Sequence, residues 1–196
     1  RDLEDLAEAP VIGSISYDKV AGEVPLISDM DPYSPRAEAF RVLRTNLQFI
    51  DPDQTKKVFV ISSALPAEGK STTACNLAVA LAGGVGAACR FVLDGIVRAR
   101  ASADYPTGTM VINVSGSLLL GLLTGLGLAH LASDGLVLVL GTGLLGGYTT
   151  FSTASLETVR LLQAGRYAAS LLAGLGMLTA SVAAAGLGLW LGGLGS

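Results

Sequence analysis

The stretch GGYTTFSTASLE, residues 146–157, decides the fold of this chain. It ends a run, residues 135–156, that contains no acidic or basic side chain and is long enough to cross a bilayer, because a spanning helix needs about 20 mostly apolar residues. Paired glycines followed by β-branched threonines, with four hydroxyl side chains in residues 149–153, are typical of a helix break. An intact helix, whose hydroxyls bond back to its own carbonyls, is the alternative.

Three further apolar stretches predict an all-α membrane protein with four transmembrane helices. Residues 110–133 and 167–195 also contain no Asp, Glu, Lys or Arg, and residues 74–97 carry only Arg90 and Asp94 of these types. The soluble alternative, a set of buried core helices, is disfavoured because nothing else in the chain is able to cover four of them. A break in the third helix must then have its carbonyls satisfied by protein, by a water-filled cavity or by a cation.

Charge divides the chain into two parts. The whole chain is 51% hydrophobic and 15% charged, yet residues 1–75 hold 8 of the 13 Lys and Arg and 12 of the 16 Asp and Glu. We therefore expect an extension over residues 1–75 and a membrane subunit over residues 76–196. The net charge of −3 argues against a nucleic-acid partner, which would require a basic patch or stripe. Two cysteines, Cys75 and Cys89, are too few for a disulfide framework or a zinc site and are expected in the core.

Small and polar residues inside the spans predict close helix packing. Glycines recur at residues 83–86, 121–125 and 174–176, and small residues let membrane helices approach closely. Four short helices form a small bundle, so an oligomer is expected. Polar groups at membrane depth either bridge helices or line a pathway, and the following residues are such groups: Asn113, Glu157, Thr179 and Ser181.

The order of these features resembles the Fluc (CrcB) family of fluoride channels over about residues 77–196. The resemblance is carried by GGVGAACRF at residues 83–91, GTMVINVSGSLLLGLL at residues 108–123 and GGYTTFSTASLE at residues 146–157. It implies a fluoride-selective passive channel in the bacterial inner (plasma) membrane that exports fluoride from the cytoplasm and so reduces its toxicity. The implied assembly is an antiparallel dimer of multi-pass subunits in the lipid bilayer, with two fluoride pathways.

The resemblance also implies the residues of the site. A structural sodium ion lies at the dimer centre, bound by the backbone carbonyls of Gly146 and Thr149, and no organic cofactor is expected. Arg90 matches an arginine of the first helix, at a vestibule. The implied fluoride pathway is lined by the following residues: Asn113, Phe151, Thr150, Ser152, Thr153 and Glu157. Amide and hydroxyl donors replace water around a small anion, and the positive edge of an aromatic ring offers a weak site from which the ion leaves again.

One position departs from the family pattern. The second phenylalanine, expected three residues after Phe151, is Ala154 here. Half of the aromatic pair is therefore missing from this subunit. Either the pathway tolerates the loss in a homodimer, or a paralogous subunit supplies the second ring in a heterodimer.

Arginines indicate a weak preference in orientation. Arg98 and Arg100 follow the first span, and Arg160 and Arg166 lie between the third and fourth, so both pairs fall on one face of the bundle. The positive-inside rule places that face in the cytoplasm and the termini outside. Four arginines are a small bias, and insertion in both orientations stays open.

A second resemblance covers about residues 1–82. ALPAEGKS at residues 64–71 resembles a P-loop, following a predicted buried strand (VFVIS, residues 58–62) and preceding a predicted helix. With SPRAEAFRVLRTNLQF at residues 34–49, it is similar to bacterial tyrosine kinases linked to polysaccharide export. The candidate phosphate-binding residues, expected to be vestigial, are the following: Gly69, Lys70, Ser71 and Thr72.

The kinase resemblance stops where a further strand with a magnesium-binding aspartate is needed. We therefore expect a small incomplete α/β extension that does not fold autonomously. The two resemblances meet at residues 76–82, NLAVALA, which suits either helix and indicates a fusion. The favoured interpretation is a channel and not an enzyme. The alternatives are a membrane-anchored P-loop ATPase or tyrosine kinase fragment, and a four-helix exporter, which is disfavoured because the first span has no acidic residue except Asp94 near its far end.

Overall fold

The computed structural model describes residues 10–18, 22–31, 33–50, 58–63, 65, 68–101 and 105–194, and the described part of the chain is helical, with no strand. It divides into two compact units, Arg1–Leu81 and Ala82–Ser196. The helices are α1 (Pro35–Phe49), α2 (Lys70–Arg98), α3 (Thr107–Leu128), α4 (residues 134–148), α5 (Phe151–Gln163) and α6 (Tyr167–Gly193). Within α4 the segment Leu138–Leu145 is π-helical, and within α6 the segment Leu172–Gly176 is π-helical.

The first unit is built around α1 and the beginning of α2. Helix α1 starts at Ser34, whose hydroxyl accepts the Ala37 N–H at 3.2 Å, with Pro35 in the first turn, where its missing N–H costs nothing. Asn76 is fully buried; its Oδ1 accepts the Ile27 N–H and its Nδ2 donates to the Pro25 carbonyl, both at 2.9 Å. The side chains buried with it are Ala37, Phe40, Leu47, Leu77, Val79 and Ala80.

The predicted strand at residues 58–62 is wrong. This segment is not part of a strand, and Val58 and Val60 are each 86% exposed. A strand needs a neighbour to bond its backbone, and the described residues offer it none. The incomplete α/β extension is thus replaced, in the described part, by helices and extended chain. Cys75 and Cys89, expected in the core, are both exposed.

Four candidate membrane spans are present, as predicted. They cover Lys70–Arg98, Thr107–Leu128, Asp134–Gln163 and Tyr167–Gly193. The first continues through the predicted junction at residues 76–82 without interruption. Large apolar side chains remain exposed along these helices, as a lipid-facing surface requires. Together with their hydropathy this makes the chain a multi-pass membrane protein.

The second span ends at Leu128, earlier than the apolar run predicts. His130 adopts a left-handed conformation with φ of 57°, which turns the chain out of the helix. The Leu131 N–H then bonds the Leu126 carbonyl at 2.9 Å, and the His130 N–H bonds the Gly127 carbonyl at 3.0 Å. This Schellman closure satisfies carbonyls that a helix end otherwise leaves open. His130 itself is exposed.

Helices α3 and α6 pack through glycines at four-residue spacing. A Cβ added to Gly121 would lie 2.1 Å from the Ala185 carbonyl oxygen, and one added to Gly188 would lie 2.1 Å from the Leu118 carbonyl oxygen. Gly125 and Gly192 approach the opposite backbone in the same way. The prediction of small-residue packing is confirmed at residues 121–125, where the backbones approach within van der Waals contact.

Candidate functional site

The third span breaks at Thr149 and Thr150. Both have extended backbones, with φ and ψ of −77° and 162° for Thr149 and −151° and 118° for Thr150. The predicted break is therefore confirmed, although Gly146 and Gly147 remain helical. Thr150 caps the following helix, because its Oγ1 accepts the Thr153 N–H at 3.3 Å. The two halves of the span, α4 and α5, meet at this cap.

Asn113 of α3 holds the break. Its Oδ1 accepts the Thr150 N–H and its Nδ2 donates to the Thr150 carbonyl, both at 2.9 Å. The second Nδ2 hydrogen faces the Met177 sulfur at 3.4 Å. Both backbone groups of Thr150 are thereby satisfied by one side chain, as buried polar groups require. A polar group at this depth was expected either to bridge helices or to line a pathway, and these bonds make Asn113 a bridge between α3 and the break in the third span.

Gly116 makes room for the broken segment. A Cβ at Gly116 would lie 2.3 Å from the Thr149 methyl carbon and 3.2 Å from the Tyr148 ring. Tyr148 is in turn anchored by its hydroxyl, which lies 2.9 Å from Ser115 Oγ. One short stretch of α3, residues 113–116, therefore supplies the clamp, the space and the anchor for the break.

The backbone carbonyl oxygens at the break are of the ligand type that a hard cation prefers. The Thr150 N–H bonds Asn113 and not the Gly146 carbonyl, which thus loses its usual helical donor. The Thr149 carbonyl accepts a long hydrogen bond, 3.4 Å, from Arg90 Nη1. Both carbonyl groups therefore keep lone pairs for a ligand, and oxygen is the donor that such cations prefer. One chain offers two of them, fewer than a cation of this kind requires.

A groove of about 540 Å³ runs beside the break. Asn113, Thr149 and Thr150 lie on its wall together with Phe151, which is 88% exposed. Ala154 also lines the groove and is buried. Phe151, and Ala154 at the position of the absent second phenylalanine, therefore line the same groove as Asn113.

The hydroxyls at the start of α5 are held together. Thr150 Oγ1 lies 3.0 Å from Thr153 Oγ1 and 3.4 Å from Ser152 Oγ, and Ser152 is exposed. Thr179 bonds the Leu175 carbonyl of its own helix at 3.0 Å, so it neither bridges helices nor lines the groove in the described part. Ser181 differs, because it lines the groove and its Oγ is buried without a partner among the described residues. The sequence already placed Ser181 among the polar groups at membrane depth, and the structure brings it to the groove as a candidate donor.

Glu157 lies in a second cavity, of about 350 Å³, at the far end of α5 from the break. Arg98, Arg160 and Arg166 line the same cavity, which confirms that the two arginine-bearing loops lie at one end of the bundle. Arg98 Nη2 lies 3.3 Å from Glu157 Oε1, and its Nε lies 2.8 Å from Asp94 Oδ2. We refer to this cavity as the vestibule, and Arg90 is not among the residues that line it. Arg98 and Asp94 were not predicted as site residues; only their four-residue spacing hints at the pair.

The P-loop-like residues lie at the start of α2. Gly69 has a left-handed backbone with φ of 79°, while Lys70, Ser71 and Thr72 form the first turn. Lys70 Nζ donates to the Leu65 carbonyl at 2.9 Å, and Glu68 Oε2 accepts the Leu65 N–H at 3.1 Å. Side chains of the loop thus bond both backbone polar groups of Leu65. Ala64, Pro66 and Ala67 lie outside the described residues.

Comparison with known proteins concerns the membrane part of the chain. The family model described as "CrcB-like protein, Camphor Resistance (CrcB)" matches residues 77–192. The chain is 58% identical over 118 residues to "Fluoride-specific ion channel FluC 1" of Leifsonia xyli subsp. xyli, covering 60% of this chain and 86% of that protein. It is 53% identical over 115 residues to "Fluoride-specific ion channel FluC 2" of Cutibacterium acnes, covering 58% of this chain and 94% of that protein. The matches give no support to the kinase resemblance of residues 1–82.

Proposed function

Because the chain belongs to the CrcB family, we propose that it is a subunit of a fluoride-selective ion channel, and not an enzyme, in the bacterial cell membrane. The observation that carries this proposal is the clamped break in the third span, where Asn113 fixes Thr150 beside the exposed ring of Phe151. The channel is passive and exports fluoride from the cytoplasm, which reduces its toxicity.

The groove offers the chemistry that a small anion needs. Fluoride binds water strongly, so the path must replace water with donors that hold the ion weakly and in several places. Candidate donors are the Ser181 hydroxyl and the Asn113 hydrogen that faces sulfur, because a thioether is a weak acceptor that an anion displaces easily. The positive edge of the Phe151 ring adds a site without a full charge. Thr150, Ser152 and Thr153 supply further hydroxyls at the head of α5.

A structural sodium ion is the second part of the proposal. The carbonyls of Gly146 and Thr149 from one chain, together with the same pair from a second copy, would provide four oxygen ligands. Bound there, the cation would satisfy carbonyls that the break removes from helical bonding. We expect the chain to unfold at a higher temperature in sodium than in N-methylglucamine buffer, and to conduct fluoride faster. Equal melting temperatures and equal fluoride efflux in the two buffers would contradict the sodium proposal.

Assembly as an antiparallel dimer follows from the same proposal. The groove beside the break exposes Phe151 within one subunit, and a second subunit would cover it. Ala154 leaves the second aromatic position without a ring, so the partner is either an identical chain that tolerates the loss or a paralogous subunit that supplies a phenylalanine. Fluoride efflux by the purified chain alone indicates the first, and efflux only after mixing with a paralogous subunit indicates the second.

Growth of fluoride-sensitive bacteria tests the proposed function in the cell. Expression of the chain in a strain that lacks its own fluoride exporter should restore growth in millimolar fluoride, and Phe151→Ile should abolish that rescue. Phe91→Ile is the matched control, since Phe91 is 81% exposed on α2 and is not among the residues lining the groove. Equal growth of the Phe151→Ile and wild-type strains would contradict a role for the ring.

The P-loop alternative has less support from the structure. Lys70 and the Leu65 N–H, which would face phosphates, bond within the loop, and the described residues place no strand before it. Tight magnesium-dependent ATP binding in equilibrium dialysis would favour a membrane-anchored ATPase or kinase fragment instead.

A further inference from the structure

We infer that Arg98 is a positioning residue of the anion pathway, which holds the Glu157 carboxylate and compensates its charge at one mouth of the channel. This inference rests on the proposed fluoride channel function. It concerns a pair that joins the end of α2 to the middle of α5, 59 residues apart in the sequence.

The geometry makes Arg98 a bridge between two carboxylates. Its Nε lies 2.8 Å from Asp94 Oδ2 one turn earlier on α2, and its Nη2 lies 3.3 Å from Glu157 Oε1 on α5. The contact with Asp94 orients the guanidinium, because a planar group held at one nitrogen has its other nitrogens aimed in a fixed direction. Arg98 is thereby presented to Glu157.

Asp94 is itself fixed by close packing. A Cβ on Gly108 would lie 2.2 Å from Asp94 Oδ1, so the absence of a side chain at this position of α3 admits the carboxylate. Asp94 Oδ1 is buried without a hydrogen-bond partner among the described residues. Gly108 therefore makes room for Asp94, and Asp94 in turn orients Arg98.

Glu157 depends on this support. Its side chain is 17% exposed, and Oε2 is buried without a hydrogen-bond partner in the described part of the chain, so the ion pair of Oε1 with Arg98 is the contact that compensates this carboxylate. A poorly solvated carboxylate without a compensating cation is costly and repels anions at short range. Glu157 lines the vestibule, and an anion that enters there passes close to it.

The charges that line the vestibule place Glu157 among cations. Arg98, Arg160 and Arg166 line it with Glu157, and Asp94 lies behind Arg98. Removal of Arg98 leaves the carboxylates of Glu157 and Asp94 without their shared counter-ion. The expected consequence is slower entry of fluoride through this mouth.

A double-mutant cycle tests the inference on the full chain in liposomes. We expect Arg98→Met to slow fluoride efflux roughly tenfold or more, whereas Arg98→Lys, which keeps the charge, stays much closer to wild type. Once the carboxylate is removed, Arg98 should matter little, so Arg98→Met/Glu157→Gln should conduct within about threefold of Glu157→Gln alone. Arg100→Met is the matched control, because Arg100 is not among the residues that line the vestibule.

The outcomes separate the two proposals. An Arg98→Met rate equal to that of the wild type, or a double variant slower than Glu157→Gln by the same factor that separates Arg98→Met from the wild type, would overturn the role of Arg98 while leaving the channel function intact. Wild-type liposomes without fluoride efflux would overturn the channel function itself. If Arg98→Met does not fold, Arg98→Gln takes its place in the cycle, and an Arg98→Lys rate as low as that of Arg98→Gln would count against charge compensation.

Discussion

Replacing Asn113 with leucine should reduce fluoride efflux by at least two orders of magnitude and lower the melting temperature of the protein. Leucine has the same number of side-chain heavy atoms and the same branching at Cγ but cannot bond the Thr150 N–H or carbonyl, each of which Asn113 contacts at 2.9 Å. A buried polar group left without a partner costs about 1–3 kcal/mol. Two such groups at the break should release Thr150 from its cap geometry and displace Phe151.

The melting temperature separates two roles for Asn113. A clamp predicts that efflux and stability fall together in Asn113→Leu. A residue that only lines the pathway predicts lost efflux with an unchanged melting temperature, and that result would contradict the clamp. Thr124→Val is the matched control on the same helix, because the Thr124 hydroxyl bonds the Leu120 carbonyl of its own helix.

Replacing Gly188 with valine should prevent assembly of the four-helix unit. The Cβ of any side chain there would lie 2.1 Å from the Leu118 oxygen and 2.7 Å from the Leu122 nitrogen, which are backbone atoms that cannot rotate away. Overpacking typically costs about 1–3 kcal/mol, and a clash with rigid backbone should reach or exceed the upper end. We expect aggregation, or a monodisperse fraction with a strongly lowered melting temperature, in size-exclusion chromatography and thermal unfolding.

Gly186→Val is the control for helix propensity. Gly186 lies two residues earlier on α6, and a Cβ there would meet nothing within 4 Å. The same β-branched side chain is therefore introduced without the clash, and the variant should remain monodisperse. Similar behaviour of the two variants would mean that close α3–α6 packing is not what holds this unit together.

Local sequence was sufficient for the four spans, because long apolar runs with few or no charged side chains predict them. The pattern after Gly146 was typical of a break but left an intact helix open, and the structure decides for the break. Its exact place was not predictable locally, because Asn113, on another helix, takes the backbone of Thr150. Gly146 and Gly147, which look like the cause of the break, both remain helical, and Gly147 packs closely against the Gly83 backbone.

The other differences between the sequence-based expectations and the structure depend on contacts between residues that are far apart in the sequence. Arg98 meets Glu157 only because α2 and α5 end at the same side of the bundle. Residues 58–62 have the composition of a strand, yet a strand forms only with a neighbour, and the described residues include none. Ser181 was already among the polar groups expected at membrane depth, but only the fold shows that it lines the groove and that its hydroxyl has no partner among the described residues.

Fluoride efflux from liposomes that contain this chain alone, measured beside chloride efflux in the same sodium buffer, tests the central claim most directly. The proposed channel predicts rapid fluoride efflux once the membrane potential is short-circuited with valinomycin, and chloride efflux no faster than from protein-free liposomes. Fluoride efflux at the protein-free rate, with and without an added paralogous subunit, or equal efflux of both anions, would contradict the claim that this chain forms a fluoride-selective pathway.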